Sequence, residues 1–197
     1  MRFISSLLLL ILSSCSISPF HASTTGRTFG KGSGQFEVGN FSSSYYLKFV
    51  HGLSDNFDIG YFVEFGDFTT SGISLKYSAI NNPQGYALAF ELLYGADGDS
   101  EYTTIGAINS YNLGNGVEFF LNTRLNKISA DSSNFTLDQS SGSIELKEYD
   151  TSYFYYAYGV NLWLTSNAGF SLYSSNFTGS GIKTKTGIIG GALLFNY

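Results

Sequence analysis

The chain is poor in charged residues, cysteine and histidine. Only 13% of its 197 residues are charged, about half the usual share for a globular domain. Either something other than a charged surface keeps the protein soluble, or the protein does not lie in water. The two histidines leave little material for a histidine-dependent acid–base site. The net charge of −5 comes without a basic run or interleaved arginine and aromatic residues, which argues against a nucleic acid partner.

The N-terminal sequence predicts a secretory signal peptide. One positive charge, Arg2, precedes a leucine-rich run that is about half of the roughly 20 apolar residues needed by a spanning helix. Cleavage after residue 22 would put the large Phe20 where small residues are preferred. We therefore interpret residues 1–14 as the signal peptide, extending to 22 if the chain is not a lipoprotein.

Cys15 is the only cysteine, so an intramolecular disulfide is excluded. The residues before it, Leu-Ser-Ser-Cys, resemble a bacterial lipobox, and this resemblance implies that Cys15 is lipidated. Residues 15–34 carry no strand pattern and are interpreted as a polar tether.

No helical period appears in the remaining chain, whereas apolar and polar residues alternate with a period of two, which indicates β-strands. The clearest segments are 45–53, 57–65, 73–79, 86–94 and 117–125. One face of each segment is apolar, and every charge within a segment lies on the other face. A soluble barrel with the apolar face inward and a membrane barrel with it outward both give this pattern.

Two observations favour the membrane barrel. Aromatic residues such as Tyr86 and Tyr94 stand at both ends of an otherwise largely aliphatic face, as expected at two lipid–water interfaces. Alternate connections are compact turns, "SDN", "NNPQG", "NLGNG" and "TSNA", whereas the other connections include a 24-residue segment, 128–151. We therefore predict an all-β, antiparallel up-and-down transmembrane β-barrel over residues 35–197, with ten strands and eight as the alternative.

The chain resembles small bacterial outer-membrane β-barrel proteins, most specifically in its ending, "GIIGGALLFNY". In such barrels the last strand carries alternating aromatic residues and ends on one, which the barrel-assembly machinery is understood to recognise. Phe195 and Tyr197 match this pattern, although Ala192 stands where glycine is preferred. The resemblance implies a bacterial outer-membrane location, with outer-membrane lipid and the assembly machinery as partners.

Candidate chemical sites are weak. Residues 26–33, "GRTFGKGS", lack the spacing of a phosphate-binding loop and are interpreted as a flexible leader. His51 and Ser54 resemble a lipid-hydrolysing pair, but His51 lies beside a predicted periplasmic turn and on the lipid-facing side, which favours an interfacial histidine. The acidic residues at 97, 99 and 101 lack the spacing of a calcium loop. We therefore expect no catalytic residues, no metal and no cofactor.

A set of charged residues is predicted to face the barrel lumen, because facing lipid would cost about 2 to 4 kcal/mol for a basic residue at mid-depth. These residues are Lys48, Asp58, Glu64, Lys76, Glu91, Glu118 and Arg124. The main hypothesis is a non-enzymatic, monomeric barrel with a structural or surface-interaction role through segment 128–151. The alternatives are a narrow channel for small solutes that uses the charged lumen and, less favoured, a lipid-modifying enzyme.

Overall fold

The computed structural model describes residues 21–41, 44–65, 69–97, 100–130, 134–135, 144–145, 149–179 and 185–197. It contains twelve strands within these ranges. Their bounds are β1 (Gly34–Phe41), β2 (Ser44–Gly52), β3 (Phe57–Phe65), β4 (Thr70–Asn81), β5 (Gly85–Asp97), β6 (Ser100–Gly114), β7 (Val117–Ala130), β8 (Asn134–Phe135), β9 (Ile144–Glu145), β10 (Tyr149–Trp163), β11 (Ala168–Gly179) and β12 (Lys185–Asn196). No helix in these ranges is long and apolar enough to cross a membrane.

Ten of the strands form one closed barrel, in which each strand pairs antiparallel with its neighbours. The barrel closes where β1 pairs with β12, from Gln35 opposite Asn196 to Phe41 opposite Gly190. Closure leaves no strand edge with unpaired backbone groups, which is the condition for a sheet to cross a membrane. The predicted ten-stranded up-and-down barrel is confirmed.

The long connection between β7 and β10 departs from the prediction of a loop over 128–151. β7 extends to Ala130, β10 begins at Tyr149, and the two-residue strands β8 and β9 pair with each other between them. Two-residue strands are too short to show a period of two, so alternation could not identify them.

The outer surface of the barrel is apolar. Along β3, the outward Phe57, Ile59 and Tyr61 are exposed, whereas Asp58 and Phe62 point inward and are buried. The other barrel strands continue this pattern with large apolar side chains outside. The soluble-barrel alternative, with the apolar face inward, is therefore wrong.

The two ends of the barrel differ in their connections. The end that carries both barrel termini has short connections at residues 53–56, 82–84, 115–116 and 164–167, and we call it the short-turn end. At 115–116 the backbone has positive φ at Asn115 (53°) and Gly116 (79°), which suits asparagine and glycine. The opposite, long-loop end carries the connection between β7 and β10. In membrane barrels the short turns are periplasmic.

Candidate functional site: the occupied lumen

Residues 21–30 run from the inside of the barrel to its mouth at the short-turn end, and we call this segment the plug. Its first residues, His21 to Thr24, have at most 3% of their surface exposed. The plug has no strand, as expected from its sequence, but it is packed within the wall and does not hang outside the barrel as a tether would. Residues 1–20 lie outside the described residues, so the signal peptide, its cleavage site and the lipidation of Cys15 remain predictions.

The width of the barrel explains why the plug fits. Eight strands leave an interior that side chains just fill, and the diameter grows with strand number. The ten strands here enclose more space, and the plug occupies it. Between the plug and the wall around Glu37 and Lys48 a cavity of about 10 Å³ remains, the space of about one water.

Charged residues line the inside of the wall. The structure buries the side chains of all seven proposed lumen residues, Lys48, Asp58, Glu64, Lys76, Glu91, Glu118 and Arg124. Glu37 of β1 also faces the lumen and is 2% exposed, although it is not among the residues predicted from the sequence. The alternation of Phe36 and Val38 with Glu37 is the signal that could have identified it.

Ser23 of the plug joins three charged residues of the wall. Its hydroxyl donates to Glu91 Oε1 over 2.6 Å and accepts from Lys48 Nζ at 2.8 Å and from Arg124 Nη2 at 2.9 Å. Arg124 Nη2 also pairs with Glu91 Oε2 at 3.0 Å. A hydroxyl can make one donated and two accepted bonds, so this oxygen is fully satisfied.

Side chains of the wall also bind the backbone of the plug. Arg124 donates to the carbonyl of His21 at 2.7 Å, Asn161 donates to the carbonyl of Thr24 at 2.9 Å, and Ser78 donates to the carbonyl of Gly26 at 2.8 Å. Buried backbone groups require partners. Polar wall side chains supply these partners in place of a neighbouring strand.

A second ion pair holds the plug near the short-turn end. Lys76 Nζ lies 2.8 Å from Asp58 Oδ2 and donates to the carbonyl of Arg27 at 2.6 Å. The same ammonium lies 5.0 Å from the ring centre of Phe29, a cation–π distance. The amide of Phe29 donates to Asp58 Oδ1 at 3.3 Å. Both members of this ion pair of the wall, Lys76 and Asp58, therefore also bind the plug.

Arg27 has the most extensive set of contacts with the mouth of the lumen. Its guanidinium pairs with Glu118 and donates to Ser110 Oγ at 3.2 Å. Nε donates to the carbonyl of Asn82 at 2.7 Å, and Nη2 donates to the carbonyl of Gly85 at 2.5 Å. We call these four acceptors, on Asn82, Gly85, Ser110 and Glu118, the Arg27 cradle.

The cradle is positioned by the wall around it. Asn161 Nδ2 donates to Glu118 Oε2 at 3.3 Å, and Asn112 Nδ2 donates to the carbonyl of Pro83 at 2.9 Å. The second bond ties the turn between Asn82 and Gly85, the residues that carry two of the acceptors, to β6. The cradle therefore combines one anionic oxygen with neutral acceptors on fixed elements, which suits a planar cation with several donors.

Aromatic side chains fill the lumen toward the long-loop end. The ring centres of Tyr155 and Phe177 are 5.1 Å apart, and those of Phe41 and Tyr173 are 6.2 Å apart. His21 at the inner end of the plug lies 4.5 Å from Phe62 between ring centres. The buried cluster comprises Phe41, Phe62, Tyr102, Phe120, Tyr153, Tyr155, Tyr173 and Phe177 with smaller apolar neighbours, among them Ala22 of the plug. We call it the aromatic layer.

The residues considered for lipid hydrolysis do not form a pair. His51 Nδ1 lies 3.2 Å from the hydroxyl of Tyr197, at the outer rim of the short-turn end. The hydroxyl of Ser54 accepts from the backbone amides of Asn56 and Phe57, at 3.3 and 3.2 Å. Ser54 therefore stabilises the turn, and His51 contacts the C-terminal residue.

The terminal aromatics proposed as an assembly signal both face outward. Phe195 and Tyr197 are 42% and 51% exposed at the short-turn end. Tyr197 stacks on Phe49 with 5.4 Å between ring centres. Their recognition by the assembly machinery stays a prediction.

Comparison with known proteins identifies the class of fold. No protein-family model matches the chain, and no curated protein matches its sequence. The solved structure of the NanC porin is similar in fold, with a TM-score of 0.52 and 7% identity, over 83% of this chain and 97% of that chain. The N-terminal β-barrel domain of Pseudomonas aeruginosa OprF also matches, with a TM-score of 0.44 and 13% identity, over 85% and 99% of the two chains.

The fold and the apolar outer face define a bacterial outer-membrane β-barrel. The outer-membrane location expected from the sequence is confirmed. At 7% identity the likeness to NanC concerns the fold alone.

Proposed function

We propose that the protein is a narrow outer-membrane channel for small solutes, closed in this structure by its own N-terminal plug. The observation that carries the proposal is that the charged lumen is filled by a segment that is not part of the wall. A barrel whose own side chains fill the lumen has no such segment to move. Here the wall encloses the inner part of a separate segment, and the room that this segment occupies would become part of a passage when the plug leaves.

The contacts of the plug suit reversible closure. They are mainly hydrogen bonds and ion pairs, and each can be exchanged for bonds to water at a net cost of about 0.5–1.5 kcal/mol for a neutral hydrogen bond and about 1.5–3 kcal/mol where one partner is charged. The wall is held by continuous ladders between the barrel strands. The plug can therefore detach while the strands of the barrel wall remain paired. NanC, which has a similar fold, is a porin, and this supports the channel hypothesis over a purely structural role.

The charges of the wall favour cations. Among the described residues, the lumen wall carries three basic side chains, Lys48, Lys76 and Arg124, and five acidic ones, Glu37, Asp58, Glu64, Glu91 and Glu118. The acidic groups exceed the basic groups by two, and Arg27 of the plug offsets part of this excess while it is in place. A narrow pore lined by an excess of carboxylates favours cations.

Single-channel recording in planar bilayers tests the proposal with the full chain. Arg27→Gln removes the ion pair with Glu118 and is expected to raise the open fraction above that of the wild type. Under a salt gradient, the reversal potential of the open state should show cation preference. Lys31→Gln is the matched control, because it removes a neighbouring cation that is exposed at the mouth. If neither the wild type nor Arg27→Gln nor Lys31→Gln shows channel openings, the channel hypothesis is wrong.

A structural or surface-interaction role is the second candidate, and the aromatic layer favours it. Packed rings fill the lumen toward the long-loop end, and the plug contacts them through His21 and Ala22. If recordings are silent while Arg27→Gln frees the plug, as judged by faster hydrogen exchange of its amides, the aromatic layer is a permanent closure. That result would support the structural role.

A further inference from the structure

We propose that the Arg27 cradle is a guanidinium-binding site of the barrel wall, which takes a small guanidinium-bearing cation when Arg27 leaves it. The proposal deepens the proposed function, on which it rests for its physiological meaning, by naming the class of solute. Arg27 itself shows what the cradle binds. Four contacts to the wall engage all three guanidinium nitrogens.

All four acceptors of the cradle belong to the wall, and Thr25 and Gly26 of the plug also donate to two of them, Glu118 and Ser110. Its side-chain acceptors are on β6 and β7, where Ser110 is 3% and Glu118 is 5% exposed. Of its two carbonyls, that of Asn82 lies in the connection from β4 to β5 and that of Gly85 is on the first residue of β5, and Asn112 binds the connection between them through Pro83. Asn161 of β10 fixes the Glu118 carboxylate. Removal of Arg27 therefore leaves the buried Glu118 carboxylate with the neutral donors of Thr25 and Asn161 but without its cation, and a buried charge without a counter-ion is costly.

The geometry favours guanidinium over ammonium. A guanidinium group has five N–H donors in a fixed plane, and the cradle receives donors from Nε, Nη1 and Nη2 at separate points. An ammonium group is a compact point charge with three donors, so it cannot reach acceptors that are spread around a plane. The wall therefore distinguishes the two cations by shape as well as by charge.

The position of the cradle lets an external cation compete with Arg27. The bond from Arg27 Nε to the Asn82 carbonyl is exposed at the short-turn end. A cation arriving from this side meets the cradle before the ion pairs deeper in the lumen. Because Arg27 belongs to the same chain, it competes for the cradle at an effective concentration in the millimolar range. A free ligand of similar affinity must reach a comparable concentration to displace it. A guanidinium-bearing solute would thus occupy the cradle and release the plug.

Isothermal titration of the refolded full chain in detergent tests the site directly. In Arg27→Ala the cradle is vacant, and methylguanidinium should bind about tenfold more tightly than methylammonium. Arg27→Ala with Glu118→Gln should lose this binding. Lys31→Ala, which keeps Arg27 in the cradle, should show no binding at the same ligand concentrations. A shift in gel mobility between unboiled and boiled samples shows that each barrel is folded.

The outcomes separate this proposal from the channel. Equal binding of the two cations by Arg27→Ala, binding that persists with Glu118→Gln, or no binding of either cation would overturn the guanidinium site. Conductance without selective binding would overturn the cradle and leave the channel. Selective binding in detergent without conductance in bilayers would support the cradle and overturn the channel.

Discussion

Arg27 and Glu118 form an ion pair across 91 residues of sequence, between a segment without secondary structure and the second residue of β7. The side chains are 13% and 6% exposed, so water screens the pair only partly. Thr25 of the plug donates to the same carboxylate at 2.8 Å. One carboxylate of the wall thus holds the plug through two of its residues.

Arg27→Lys is expected to release the outer part of the plug although it keeps the charge. The lysine ammonium cannot reach the four acceptors of the cradle, so the outer part of the plug loses these contacts and is held more weakly. Hydrogen exchange measured by mass spectrometry on the full chain should show faster exchange of the amides of residues 25–29. Lys31→Arg is the control, because it makes the reverse change at an exposed neighbouring position. Equal protection in wild type and Arg27→Lys would show that the cradle does not hold the plug.

The buried ion pair between Glu91 and Arg124 is expected to dominate the stability of the charged lumen. Glu91→Gln leaves the Arg124 guanidinium, 0% exposed, without its carboxylate, which should lower the free energy of unfolding by about 3–5 kcal/mol. Urea unfolding in lipid vesicles measures this change. Glu91→Gln combined with Arg124→Met should cost less than the sum of the single variants, because the two residues interact directly.

Lys127 and Asp150 provide the matched surface pair. Their charged atoms lie 3.9 Å apart and both side chains are 64% exposed. Lys127→Met should change the free energy of unfolding by no more than about 1 kcal/mol, since exposed pairs contribute little. Equal losses from Lys127→Met and Glu91→Gln would mean that water screens the lumen as well as the surface.

The sequence was sufficient to predict the wall but not its contents. A strand shows its period of two locally, and each outward Phe, Leu or Tyr is separated by one residue from the next, so strand number and lumen-facing charges follow from short windows. The plug has no period, and its contacts are between residues far apart in sequence, such as Ser23 with Glu91. A polar, glycine-containing sequence is compatible with a tether outside the barrel as well as with a plug inside it. Which of the two forms depends on whether the lumen is wide enough to hold the segment.

The aromatic layer was difficult to predict for a related reason. Phe62 and Phe120 alternate with outward residues, so the sequence does place them on the inner face. Whether inner aromatics from different strands meet depends on the register of all the strands between them. Phe120 and Tyr173 come within 6.3 Å between ring centres although β10 separates their strands. Alternation within one strand does not show which inner side chains of other strands it will contact.

Leu121→Arg tests the orientation of the wall in the membrane. Leu121 is outward on β7 and 41% exposed, in the part of the barrel expected to face lipid. An arginine there should lower the free energy of unfolding in vesicles by about 2–4 kcal/mol. Leu53→Arg, at the short-turn rim and also exposed, should cost about 0–1 kcal/mol. Equal, small costs at both positions would contradict a lipid-facing surface at Leu121.

Tyr197 allows the assembly signal to be separated from structural stability. Its backbone exchanges two hydrogen bonds with Gly34, each 3.1 Å long, and any residue at position 197 can keep them. Tyr197→Ala removes the stacking on Phe49, which is worth about 0.5–1.5 kcal/mol. Refolding into vesicles should therefore still succeed. Insertion into the outer membrane of cells should fall strongly, if the assembly machinery recognises a terminal aromatic residue.

Tyr197→Phe is the matched variant, because it keeps the ring and loses only the hydroxyl contacts with His51 and the Val50 carbonyl. It should insert into the outer membrane of cells as the wild type does. Fractionation of cells and gel mobility of unboiled samples measure insertion. If Tyr197→Ala fails equally in vesicles and in cells, the residue acts by closing the barrel between β1 and β12. If it succeeds equally in both, the terminal ring carries no assembly signal, and recognition of the last strand must depend on Phe195 or on the backbone.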